Sequence, residues 1–130
     1  MTNERMRILV VKAHPHDFTH CAGTLGVHKA LGDEVTLVVA TSGATTHNER
    51  LSSELLKPKE EQDPEIINEP LDEYAGQKAD ELRQAAALFG IDDVKILNGP
   101  QPFKAEENPD VVSQMIDILA EVRPHILITQ

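Results

Sequence analysis

Four short apolar runs, separated by segments of helical periodicity, constrain this chain more than anything else in it. Ile8-Leu9-Val10-Val11 is apolar at every position, the pattern of a parallel strand covered on both faces. Val35 to Ala40, Val94 to Leu97 and His125 to Thr129 read as three further strands. Between the first two, Thr19 to Leu31 reads as a helix capped by Thr19 and left through Gly32-Asp33. Gly23 and Gly26 lower its intrinsic helicity, and close packing on the sheet would account for both. After Pro70, apolar residues from Leu71 and Tyr74 to Leu82, Ala86 and Phe89 recur at helical spacing, and Gly90 closes the segment. Asn108-Pro109 opens a last helix with Val112, Met115, Ile116 and Leu119 on its apolar face; Arg123-Pro124 stops it. Strands alternating with helices imply right-handed crossovers and a parallel sheet. The expected class is α/β, with a mostly parallel sheet in the order 3-2-1-4. Its switch point lies between the first and fourth strands, and ligands bind such sheets at the carboxyl ends of the strands.

A length of 130 residues allows one domain, residues 1–130, with a real core. There is no Trp, one Tyr and three Phe, so Val, Ile, Leu and Ala must build that core. A net charge of −10 argues against nucleic acid and against an anionic membrane surface, both of which need clustered Lys and Arg. Cys21 is the only cysteine, which excludes an internal disulfide and fits a reducing compartment; it reads as a small packing residue. The segment Met1 to Arg7 has no signal-peptide pattern, and no apolar run is long enough to span a bilayer. A cytoplasmic protein is the expectation. The polar, acidic stretch from His47 to Glu69 reads as a solvated loop with at most one short helix. Connections of that length often act as lids.

The chemistry concentrates directly after the first strand. Ala13-His14-Pro15-His16-Asp17-Phe18-Thr19-His20 places four potential metal ligands within seven residues at a strand-to-helix turn. Imidazole and carboxylate together suit a divalent ion such as zinc. His14 and Asp17 are spaced so that a tight turn, stiffened by Pro15, aims both at one ion. They make half a zinc site, because a catalytic zinc takes three protein ligands and keeps a position for water. His16 is the nearest candidate for a general base, being titratable near neutrality. His20, one helical turn past Asp17, reads as a ligand, a substrate contact or simply the first exposed helix position. Thr41-Ser42-Gly43-Ala44-Thr45-Thr46 leaves the second strand at the same sheet edge. Ser42 and His47 are therefore candidate substrate contacts. His28 reads as a surface or helix-dipole partner, and His125, at the opposite sheet edge, as structural. There is no GxGxxG, no GxxxxGK[ST] and no GxSxG, which counts against nucleotide-binding and serine-hydrolase readings.

Taken together, these residues resemble the PIG-L/LmbE family of zinc-dependent N-acetylglucosaminyl deacetylases. The resemblance lies in Ala13-His14-Pro15-His16-Asp17, Gly23-Thr24 and Thr41-Ser42-Gly43. It extends through Lys78-x-x-Glu81, Ala85-Ala86 and Leu88-x-Gly90 to the strand Arg123-Pro124-His125-Ile126-Leu127-Ile128-Thr129. It implies a Rossmann-like three-layer sandwich with His14 and Asp17 as zinc ligands. The implied reaction is hydrolysis of an N-acyl, typically acetyl, group from an amino-sugar-like small molecule by zinc-activated water. Two departures stand out. The family has Asp-Asp after the proline and uses the first Asp as general base, where this chain has His16. The family also takes its third zinc ligand from beyond the fourth strand, here beyond Gln130. The chain is accordingly expected to be the N-terminal part of a longer protein binding one zinc per subunit, and an open fourth strand favours a homo-oligomer. The alternative is a non-catalytic metal- or sugar-binding module with a divergent or incomplete site.

Overall fold

The structure is a computed structural model that describes residues 4–130; the first three residues of the N-terminal segment read above lie outside it. Strands β1 (Arg7–Lys12), β2 (Glu34–Thr41), β3 (Asp93–Gly99) and β4 (Ile126–Ile128) form one sheet in the order β3-β2-β1-β4. Every pairing is parallel, with Ile8 opposite Val35 and Ile126, and Leu37 opposite Val94. The expected sheet order is therefore borne out. Ile8, Leu9 and Val10 are buried, as are Leu37, Val38 and Val39. Their continuous burial is why the central strands carry apolar runs rather than alternation.

Two layers of helix cover the sheet. Ile8, Val10, Leu37 and Val39 pack with Leu25 of α1 (Ala22–Ala30) and with Leu82 and Ala86 of α4 (Asp72–Leu88). On the other face Leu9 and Val38 meet Ile118 of α5 (Pro109–Val122), flanked by Met115 and Val122. α5 ends at Arg123, which takes a left-handed conformation (φ 48°), and Pro124 prevents continuation.

Several boundaries differ from expectation. Thr19 does not cap α1: Pro15–His20 form a 3-10 turn first, and the Thr19 hydroxyl donates to the His16 carbonyl (2.9 Å). Gly26 is explained by close packing, but against Phe89, whose ring would lie 2.7 Å from a Cβ there; Gly23 faces open space. α4 begins at Asp72, with Leu71 as its N-cap, so Pro70 lies just ahead of it. β4 omits His125, because His125 Nδ1 accepts from the Arg7 N–H (3.0 Å) and locks the strand entry. The region after His47 is more ordered than a loop with one helix. It contains α2 (Glu49–Leu55), a 3-10 turn at Lys59–Glu61 and α3 (Pro64–Ile67). Asn48 Oδ1 caps α2 through Leu51 N (3.1 Å), and Asp63 Oδ1 caps α3 through Glu65 N (2.9 Å). No helix among the described residues is long and apolar enough to cross a membrane.

Candidate metal centre

β1 and β2 are neighbours, so the loops leaving their carboxyl ends emerge side by side. They are also joined: the Thr41 N–H and the Thr41 hydroxyl both donate to the Ala13 carbonyl, each at 3.0 Å. On the β1 side the 3-10 turn folds Asp17 back onto His14. Asp17 N donates to His14 O (3.2 Å), and Asp17 Oδ2 accepts from His14 N (2.9 Å). The same oxygen lies 3.3 Å from His14 Nδ1. Asp17 is buried, which raises its pKa, but the His14 N–H and imidazole, with further help from the Gln130 side chain, hold the carboxyl below its ordinary value. Asp17 is thus a carboxylate at neutral pH.

On the β2 side, Gly43 turns the chain at φ +71° and accepts a hydrogen bond from His47 N (3.2 Å). Gln101 pins the intervening residues: its Oε1 accepts from Thr45 N (3.0 Å), and its Nε2 donates to the Thr46 hydroxyl (2.9 Å). The Tyr74 hydroxyl of α4 donates to His47 O (2.9 Å). His47 therefore faces His14 at a ring-centroid distance of 5.2 Å, edge to face. Burial, then the neighbouring His14 and His16, lower the His47 pKa against the opposing pull of Asp17. A neutral imidazole is the form that ligates metal.

One donor atom from each of His14, Asp17 and His47 falls within 4.8 Å of the others. His47 Nε2 is buried with no hydrogen-bond partner. Buried polar atoms are nearly always paired, so an orphaned imidazole nitrogen beside a carboxylate and a second imidazole fits a divalent cation. Donors around a tetrahedral zinc lie about 3.4 Å apart for bonds of about 2.05 Å, a contraction within reach of side-chain rotation.

The remaining candidates divide. His16 is exposed, with its ring 5.0 Å from that of His47, on the wall of an adjoining cavity of about 470 Å³. Ser42 lines the same cavity. His20 is exposed and stands outside the donor group, its ring 6.3 Å from His16. His28 bonds Asp33 through Nδ1 (2.7 Å), and Cys21 is buried as a packing residue. Lys78, which the sequence marks only as part of the Lys78-x-x-Glu81 resemblance and not as a site residue, lines the cavity from α4 and bonds Glu81 Oε2 at 2.8 Å. That contact raises its pKa. The i,i+3 spacing of the pair on one helix face was its available signal.

Solved structures share this fold. The 4-carboxy-2-hydroxymuconate hydratase GalB of Pseudomonas putida KT2440 aligns with a TM-score of 0.70 at 21% identity, over 94% of this chain and 46% of that one. The N,N'-diacetylchitobiose deacetylase of Pyrococcus horikoshii aligns at 0.65 and 23%, over 92% and 39%. A hydratase and a deacetylase on one fold show that the architecture alone does not choose the reaction. In sequence, the chain is 26% identical to the 1D-myo-inositol 2-acetamido-2-deoxy-alpha-D-glucopyranoside deacetylase of Actinosynnema mirum, over 95% of this chain and 46% of that protein. For the enzyme of the same name from Acidothermus cellulolyticus the figures are 28%, 94% and 44%. The chain thus spans just under half the length of these relatives. Residues 9–130 match the profile of the family described as PIG-L, GlcNAc-PI de-N-acetylase. The resemblance drawn from Ala13-His14-Pro15-His16-Asp17 and its companions is therefore one of descent, and the chain belongs to the PIG-L family.

Proposed function

We propose that residues 1–130 form a single LmbE-like domain of a zinc-dependent hydrolase that removes an N-acyl group, acetyl in the first instance, from an amino-sugar-like substrate. The observation that carries this reading is the convergence of His14, Asp17 and His47 beside a cavity that has His16 on its wall. The names of the sequence relatives, deacetylases of an acetamido sugar, support the substrate class. His14 and Asp17 would hold the ion. When bound, zinc polarises the amide carbonyl and brings water toward a usable nucleophile near neutral pH.

The chain's own residues supply the rest. His16 takes a proton from the attacking water and returns one to the departing nitrogen, so that a C–O bond forms, the C–N bond breaks, and a carboxylate and an amine leave. Phe18 and Leu82 form an apolar part of the cavity wall, while the hydroxyls of Ser42 and Thr46 offer hydrogen bonds to a sugar ring. The alternative, a non-catalytic metal- or sugar-binding module, is favoured by His16 itself, whose imidazole lies exposed.

The test is release of carboxylate from a panel of N-acetylglucosamine-containing compounds by the zinc-loaded protein. Turnover is expected, with loss of about 10²–10⁴-fold in His16→Ala. His16→Asp should retain activity with a changed pH profile. Absence of turnover in both wild type and His16→Asp, with zinc bound, would leave the binding-module reading.

A further inference from the structure

We infer that His47 is itself a protein ligand of the metal centre, so that the loop after β2 supplies a donor beside His14 and Asp17. The inference rests on the hydrolase reading for the ion, and departs from the family pattern in the ligand it names.

The orphaned Nε2 of His47 is the first support. The other histidines away from the turn have partners: His28 is bonded to Asp33, and His125 to the backbone of Arg7. Within the turn, His16 and His20 are exposed and stand outside the donor group. His47 alone combines burial, an empty nitrogen and proximity to both His14 and Asp17.

The second support is how firmly His47 is held. Its N–H is bound to Gly43 O, its carbonyl receives the Tyr74 hydroxyl, and the next residue, Asn48, caps α2. That fixing supplies the close pre-positioning a metal ligand requires. Gly43 adds a third. A Cβ there would lie 3.5 Å from His14 Cβ, 3.6 Å from His47 Cδ2 and 3.2 Å from Pro15 Cδ. Omitting that one side chain is what lets the two histidine-bearing segments approach. Two imidazoles and one carboxylate leave room on the ion for water and substrate.

Zinc affinity, by competition with a chromophoric chelator, and the visible spectrum of the cobalt(II) form should be measured on the 130-residue protein and its His47→Ala, His47→Gln and His14→Ala variants. Circular dichroism checks that each variant is folded. Wild type should bind about one ion with the intense bands of a four- or five-coordinate cobalt. Both His47 variants should bind at least about 100-fold more weakly, beyond what loss of an outer partner alone typically costs, with bands fading toward six-coordination. His47→Gln covers the case in which His47→Ala does not fold. Unchanged affinity and spectrum in the folded His47 variants, with binding lost in His14→Ala, would overturn this inference and leave the hydrolase reading standing. No binding by wild type would likewise overturn the inference that His14, Asp17 and His47 together hold the ion.

Discussion

Gly43 is the residue where packing and backbone conformation make the same demand. Its φ of +71° disfavours any side chain, and a Cβ would press on Pro15 at 3.2 Å. Gly43→Ala should therefore cost about 1–3 kcal/mol in urea denaturation, and should weaken zinc binding as well. A stability within about 0.5 kcal/mol of wild type would show that the loop relaxes freely. The local half of the site is legible in the sequence. His14 and Asp17 stand three apart across one turn, and the hydrogen bonds between them follow from that spacing. His47 is legible only as a neighbour of the site. It lies thirty-three positions after His14, and spacing along the chain carries no information about approach between loops. What brings the two together is the adjacency of β1 and β2 and the vacancy at Gly43, and only the first can be read before the fold is seen.

Among the elements, the segment from Glu49 to Ile67 shows where periodicity stops being informative. α2 has seven residues and α3 four, too few for a hydrophobic stripe to repeat. Their signals are caps instead: Asn48 before α2, and Asp63-Pro64 before α3. Glu54 joins the two. Its carboxylate accepts from Lys57 Nζ (2.8 Å) and from Asp63 N (2.6 Å), and Lys57 first, then that N–H, hold its pKa below the ordinary 4.5 against the effect of burial. The unfolded chain binds this proton more readily than the folded one does. The stabilisation is therefore complete above about pH 4.5 and drains away as pH falls through the folded value. In thermal melts Glu54→Gln should lie below wild type at pH 7, and the gap should narrow below about pH 4.5. A gap constant across that range would mean the contact contributes through shape and not charge. Gln101 staples a different pair, the β2 loop and the segment after β3. Gln101→Ala should cost about 1–2 kcal/mol in chemical denaturation for the hydrogen bonds lost.

For the whole molecule, strand order was the most legible property. Alternating strands and helices, the right-handed crossover rule and an apolar first strand together leave few arrangements besides β3-β2-β1-β4. Burial follows from that order and predicts unequal costs of truncation. Leu37, fully buried in β2, should lose about 2–5 kcal/mol as Leu37→Ala. Leu127, 52% exposed on β4, should change stability by about 0.5 kcal/mol or less as Leu127→Ala. Equal losses, measured by urea titration, would mean that β4 is buried in the protein in solution.

The two partners of β1 reach it at very different times. β2 follows within a few dozen residues, whereas Ile126–Ile128, which pair with Ile8–Val10, come more than a hundred residues later. At a synthesis rate of about 5–20 residues per second, one edge of the most apolar strand waits roughly 6–24 s for its neighbour. For that interval the nascent chain offers an open hydrogen-bonding edge to any other extended segment nearby. Its yield on expression should depend on the pace of translation and on holding chaperones more than the stability of the finished fold would indicate.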